Sequence, residues 1–129
     1  LMRSIDVPCS IDFLSVTSYG SGTSTTGEVR ILKDLDISLE GKDVLVVEDI
    51  LDSGMTLSFL LKSLKARYPK SIKLCTLLDK PERRRVNITA DYIGVQVPDM
   101  FIVGYGLDYA EKYRNLPYIA VLKPEIYSE

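Results

Sequence analysis

The chain has 129 residues, 46% hydrophobic and 26% charged, with a formal net charge of -2 and no histidine. Such a length and mixture fit one compact globular domain, spanning 1–129, and the slight acidity disfavours a nucleic-acid partner. No apolar run is long enough to cross a bilayer or to form a signal-peptide core, so a cytoplasmic protein without a membrane partner is expected; lacking histidine, any acid-base chemistry falls to carboxylates, lysine or tyrosine.

Leu1-Met2 reads like the end of an element, so an N-terminal piece is expected to be absent. Cys9 and Cys75 stand alone among apolar neighbours, a spacing that suits buried reduced thiols rather than a zinc site or a disulfide framework. Ile11 to Tyr19 predicts a strand, and Glu28 to Lys33 a second. Between them Tyr19 to Gly27 has almost no side chain able to anchor it in a core, which predicts a flexible surface loop.

Gly41-Lys42 breaks the chain before Asp43 to Glu48, whose Val44-Leu45-Val46-Val47 run predicts a central strand buried on both faces, and therefore a parallel sheet. Leu57, Leu60, Leu61 and Leu64 then recur at helical spacing, and Pro69 closes that amphipathic helix. Ile72 to Leu78 completes a β-α-β unit. Further strands are expected at Tyr92 to Val97, Phe101 to Val103 and Tyr118 to Leu122. The class is α/β, a mostly parallel sheet flanked by helices.

The stretch richest in chemistry is Val46-Val47-Glu48-Asp49-Ile50-Leu51-Asp52-Ser53-Gly54-Met55-Thr56-Leu57. It sets carboxylates at the carboxyl end of a strand, where open α/β sheets bind ligands, and small hydroxyl-bearing residues where the next helix begins. Free backbone N–H groups and the helix dipole favour an anion at that helix start. The acid pair Glu48-Asp49 would repel the same anion, so the two halves are compatible only if the acids hold something neutral or cationic, such as ribose hydroxyls and Mg2+. A helix cap at Asp52 or Ser53 accounts for one of these residues and leaves the others unexplained. There is no Walker A loop, and Gly104-Tyr105-Gly106 lacks the third glycine of a dinucleotide fingerprint.

Val44 to Leu57 resembles the PRPP-binding motif of type I phosphoribosyltransferases. Asp79-Lys80-Pro81, the run from Pro98 to Tyr109 and Glu111-Lys112-Tyr113-Arg114 are similar, in the same order, to segments of the hypoxanthine-guanine phosphoribosyltransferase family. The resemblance covers essentially the whole chain. It implies a type I phosphoribosyltransferase fold with a flexible catalytic loop, and an enzyme of purine salvage. That enzyme moves the 5-phosphoribosyl group of PRPP to N9 of hypoxanthine or guanine, or of xanthine, giving the nucleoside monophosphate and pyrophosphate.

The resemblance also implies roles. Glu48 and Asp49 hold the ribose hydroxyls and, with Asp108, Mg2+. Asp52 is the catalytic proton acceptor beside N7. Ser53, Gly54, Met55, Thr56 and Leu57 cradle the 5-phosphate; Met55 offers only its N–H where some relatives have a lysine. Lys80 donates to the 6-oxo group, Phe101 stacks on the purine, Ile102 presents backbone groups to its edge, and Ser18, Tyr19 and Arg114 reach pyrophosphate. Members of the family ordinarily carry a further helix and strand before the position of Leu1, ending in a pyrophosphate-binding loop, and assemble as homodimers or homotetramers.

Taken without the family, several of these residues have plainer readings: Lys80 a solvated loop lysine, Arg83-Arg84-Arg85 a solvated run or subunit contact, Phe101 an ordinary core residue, Asp108 and Arg114 surface charges. Two other classes stand beside the transferase. A phospho-acceptor receiver domain would use the acid pair but leaves the Asp52 to Thr56 loop without purpose. An RNA-binding relative without turnover would need a basic face.

Overall fold

The computed structural model describes residues 1–18 and 29–128. The expected loop from Tyr19 to Gly27, with Tyr19 itself, lies outside the described residues. In chain order the elements are a 3-10 turn at Met2–Ser4, β1 (Ser15–Ser18), β2 (Val29–Lys33), β3 (Asp43–Leu51), α1 (Met55–Lys65), β4 (Ser71–Asp79), a 3-10 turn at Pro81–Arg83, β5 (Tyr92–Gln96), β6 (Ile102–Val103), β7 (Ala120–Val121) and a short α2 (Pro124–Tyr127). Strands β3, β4 and β5 form a parallel sheet in that order, whereas β1 with β2 and β6 with β7 are antiparallel pairs.

The fold is α/β, as the alternating pattern predicts. Leu57, Leu60 and Leu64 recur at i, i+3 and i+7 of α1, so one stripe of the helix buries against the sheet with Leu39, Leu51, Leu74 and Ile88. Val44, Val46 and Ile72, alternate residues on the covered face of β3 and β4, pack against that cluster. Truncating one of the helix leucines, as in Leu60→Ala, leaves a core cavity and costs about 2–5 kcal/mol. Lys62 and Lys65 in the last turn complement the helix dipole.

Four expectations are corrected. Strand β3 is not buried on both faces: Leu45 and Val47 are 41% and 57% exposed, because α1 covers only the face carrying Val44 and Val46. Nor is it central among the described residues, where β4 holds the middle position. The strand expected from Ile11 begins only at Ser15, since the Asp12 carboxylate accepts from the backbone N–H groups of Phe13, Asp36 and Ile37 and ties the preceding chain to the segment after β2. Cys9 is exposed and Cys75 half-buried, so neither thiol is a core group.

Candidate functional site

Strand β3 runs three residues further than the apolar run alone predicts, so Glu48 and Asp49 sit within its paired end, with Glu48 opposite Thr76 of β4. Glu48 is half-buried and Asp49 exposed, and their carboxyls stand close enough to interact. Burial and the neighbouring Asp49 carboxyl push the Glu48 carboxyl up to about 7, although Glu48 Oε1 also accepts from the Asp49 backbone N–H at 3.1 Å.

The chain leaves β3 through Asp52-Ser53 and enters α1 at Gly54, whose φ of 80° is left-handed. A Cβ there would stand 2.3 Å from Ile88 Cγ2, so both conformation and space require glycine. Gly54 supplies no side-chain cap, and the Asp52 carboxylate accepts from Ser53 N–H at 2.6 Å, one residue outside the helix. Ser53 Oγ accepts from Met55 N–H at 3.4 Å. The helix start thus keeps its attraction for an anion. A cleft of about 390 Å3 is lined by Val16, Thr17 and Ser18 of β1 and by the run from Glu48 to Leu57, Met55 excepted. Ser18 therefore shares a wall with the acid pair. Leu57 sends its side chain into the core, which leaves only its backbone for a ligand.

The second half of the expected site lies past β4. Lys80 is 8% exposed, and its Nζ donates to the Met100 carbonyl at 2.8 Å, so it is not a solvated loop lysine. That bond ties the end of β4 to the residue before Phe101. Phe101 is not a core residue either: its ring is partly exposed, set edge-on against Tyr109 with centroids 5.5 Å apart and tilted against Tyr127 at 5.4 Å. Ile102 is buried in β6 opposite Val121.

Asp108 accepts from Glu111 N–H at 2.8 Å and pairs with Arg114 at 3.3 Å, while Arg114 also donates to the Gly106 carbonyl at 2.9 Å. These two charges are thus partners of each other rather than independent surface groups. The segment carrying them is conformationally costly, with positive φ at Tyr105, Ala110, Glu111 and Tyr113. Gly104 anchors its start, where a Cβ would meet the Tyr118 carbonyl oxygen at 2.1 Å. No group of three metal-ligating side chains converges among the described residues.

Sequence reasoning passed over Arg84, which is not solvated. Its guanidinium pairs with the buried Asp79 and donates to the carbonyls of Leu51 and Asp52 at 3.3 and 2.6 Å. Three consecutive arginines offer no pattern to single out the middle one. The available signal was Asp79, a carboxylate ending an apolar strand and so in need of a cation.

Residues 1–110 match the phosphoribosyl transferase domain family. The hypoxanthine-guanine phosphoribosyltransferase of Bacillus subtilis is 58% identical over 127 residues, covering 98% of this chain and 71% of that protein. The chain belongs to the hypoxanthine-guanine phosphoribosyltransferase family. Other relatives in the family are longer. The bifunctional protein TilS/HprT of Listeria monocytogenes is 62% identical over all 129 residues, and the chain spans 20% of its length. A crystal structure of a hypoxanthine phosphoribosyltransferase from Staphylococcus aureus matches with a TM-score of 0.96 at 55% identity, over 99% of this chain and 70% of that one. The type I phosphoribosyltransferase fold follows, with the sheet of β3, β4 and β5 as its parallel centre.

Proposed function

We propose that the chain transfers the 5-phosphoribosyl group of PRPP to N9 of hypoxanthine or guanine, with xanthine as a further candidate, and so serves purine salvage. The observation that carries this reading is the joining, on one cleft, of the acidic end of β3 with the glycine-led start of α1. An anion-binding helix start beside a carboxylate pair suits a ligand that is phosphate at one end and polyhydroxyl at the other.

In the reaction the C1'–O bond to pyrophosphate breaks, the N9–C1' bond forms, and positive charge develops on the sugar ring between the two events. Glu48 and Asp49 hold the ribose hydroxyls and favour that charge electrostatically. Asp52 takes the purine proton, a role open to it because its carboxylate is exposed and already oriented by Ser53 N–H. Ser53, Gly54, Met55, Thr56 and Leu57 bind the 5-phosphate through N–H groups and hydroxyls. Lys80 recognises the 6-oxo group, Phe101 stacks on the base, and Ile102 meets its edge through the backbone. Ser18, Tyr19 and Arg114 face pyrophosphate.

Mg2+ is the cofactor in this reading. The Glu48 and Asp49 carboxyls, once ionised, are hard oxygen donors of the kind such an ion takes together with substrate oxygens, and a cation there would favour loss of the Glu48 proton. Glu48, Asp49 and Asp108 would hold it, and it would neutralise charge on the leaving pyrophosphate. The salvage reading places the enzyme in the cytoplasm; among the described residues no helix is long and apolar enough to cross a membrane. Exposed Tyr118, Ile119 and Ile126 support a homodimer or homotetramer.

The test is calorimetric titration of PRPP with Mg2+ into the chain, followed by an assay for inosine monophosphate once hypoxanthine is added. Binding with product supports the transferase, and Asp52→Asn should then lower kcat by roughly 10²–10⁴-fold while PRPP still binds. A folded chain that binds no PRPP would overturn the reading.

A further inference from the structure

The three carbonyls that follow the acid pair's strand are all engaged from behind by one segment. Leu51 O accepts from Lys80 N at 2.8 Å and from Arg84 Nη1 at 3.3 Å, Asp52 O from Arg84 Nη1 at 2.6 Å, and Ser53 O from Arg85 N at 2.9 Å. Ile88 and Val86 press on Gly54 from the same segment. The Arg84 side chain is 17% exposed, and its partner Asp79 is 5% exposed.

A trans peptide is planar, with its C=O and its N–H pointing in opposite directions. Fixing the carbonyls of Leu51, Asp52 and Ser53 therefore fixes the directions of the N–H groups of Asp52, Ser53 and Gly54, away from the segment that holds the carbonyls. One of these peptides is doubly used. The Asp52–Ser53 unit accepts from Arg84 through its oxygen and donates through its N–H to the Asp52 carboxylate at 2.6 Å.

We infer that Arg84 is a positioning residue: with Asp79 as its counter-ion, it orients the Asp52–Ser53 peptide and so sets both the aim of the phosphate loop and the attitude of the Asp52 carboxylate. Arg84 touches neither substrate in this scheme. It acts through a peptide plane, and the guanidinium fork spreads its donors over two nitrogens, Nη1 to the two carbonyls and Nη2 to the carboxylate, where an ammonium would have to serve all three from one atom. The inference rests on the transferase reading for its catalytic consequence, and on the geometry alone for its effect on the loop.

Removing Arg84 alone strands a buried carboxylate and can unfold the chain, so the informative variant is Arg84→Met combined with Asp79→Asn, which removes both charges together. Two measurements on the full chain decide the matter. In the unliganded protein, amide exchange at Ser53 should accelerate more than roughly tenfold in the double variant while Leu74 in β4 keeps its protection. In the assay with PRPP and hypoxanthine, kcat should fall roughly tenfold or more with KM for hypoxanthine unchanged. Arg84→Lys should recover the melting temperature but only part of kcat, separating orientation from simple charge pairing. If the wild-type chain binds no PRPP, the transferase reading fails, and the amide measurement still tests the positioning role. Unchanged Ser53 exchange in the double variant, or full kcat in either variant of an active chain, overturns the inference.

Discussion

Lys80 Nζ donates to the carbonyl of Met100 across 2.8 Å, and the lysine is nearly buried where it does so. The bond brings the end of β4 to the chain entering β6, and it holds an ammonium in a fixed place beside Phe101. Lys80→Met should therefore cost about 1–3 kcal/mol in stability, since the Met100 carbonyl loses its charged donor. It should also raise KM for hypoxanthine at least roughly tenfold while PRPP affinity stays near wild type. Thermal melts with separate titrations of PRPP and purine are the check, and equal losses for both ligands would refute the assignment to the base.

Gly54→Ala combines a left-handed backbone with a 2.3 Å approach to Ile88 Cγ2. The expected destabilisation is about 2–4 kcal/mol, with a parallel loss of phosphate-loop affinity. Urea unfolding measures the first and calorimetry with PRPP the second; a wild-type midpoint would mean that the loop tolerates a side chain.

Glu48 carries the opposite sign from most acids. Its folded value, pushed up to about 7, lies above its ordinary 4.5, so the protonated carboxyl favours the native state. Stability from this group is full below about pH 4.5 and is lost as pH rises through about 7. Glu48→Gln should consequently be the more stable protein at pH 8, by about 1 kcal/mol after allowance for solvent screening, and should lose PRPP binding in the presence of Mg2+. Melting curves of both proteins between pH 5 and 9 decide this, roughly bracketing the titration. Parallel curves would show that Glu48 does not carry it.

Asp34 behaves in the usual way. Its hydrogen-bonded ion pair with Arg67, 2.8 Å long, holds the carboxyl below its ordinary 3.8, as does the N–H of Leu35. The contribution is present above that value and disappears as pH falls through the lowered one. Asp34→Asn should lower stability modestly at neutral pH and shallow the acid limb, so that the two proteins converge below about pH 4. An acid titration followed by circular dichroism reads the difference.

Much of this architecture is legible in local pattern. The helical spacing of Leu57, Leu60 and Leu64 predicts α1 because burial of one stripe is what makes the helix stable, and the same residues do line the core. The glycine-led start of α1 is legible because small residues directly before a helical apolar stripe mark where a helix begins, a demand written in contiguous sequence. What escapes is whatever depends on partners distant in the chain. The apolar run of β3 reads as doubly buried, since hydrophobicity records what a surface prefers and not what lies against it. Arg84 looks solvated among its neighbours, because its three acceptors come from two other strand ends brought together only by folding. Lys80 misleads for the same reason: alone it is a loop lysine, and the Met100 carbonyl arrives from 20 residues away.

The left-handed residues between Tyr105 and Tyr113 imply an uneven distribution of stability within the molecule. Four side-chain-bearing residues there adopt a backbone conformation that each would leave if released. The hydrogen bonds of Tyr105 to Leu116 and of Gly106 to Arg114 hold them, whereas the sheet of β3 and β4 is held by a continuous parallel ladder. On heating, the wall beside Phe101 is expected to open before the loop from Asp52 to Thr56. On the proposed assignment of the two halves of the site, purine affinity should decline with temperature before PRPP affinity does.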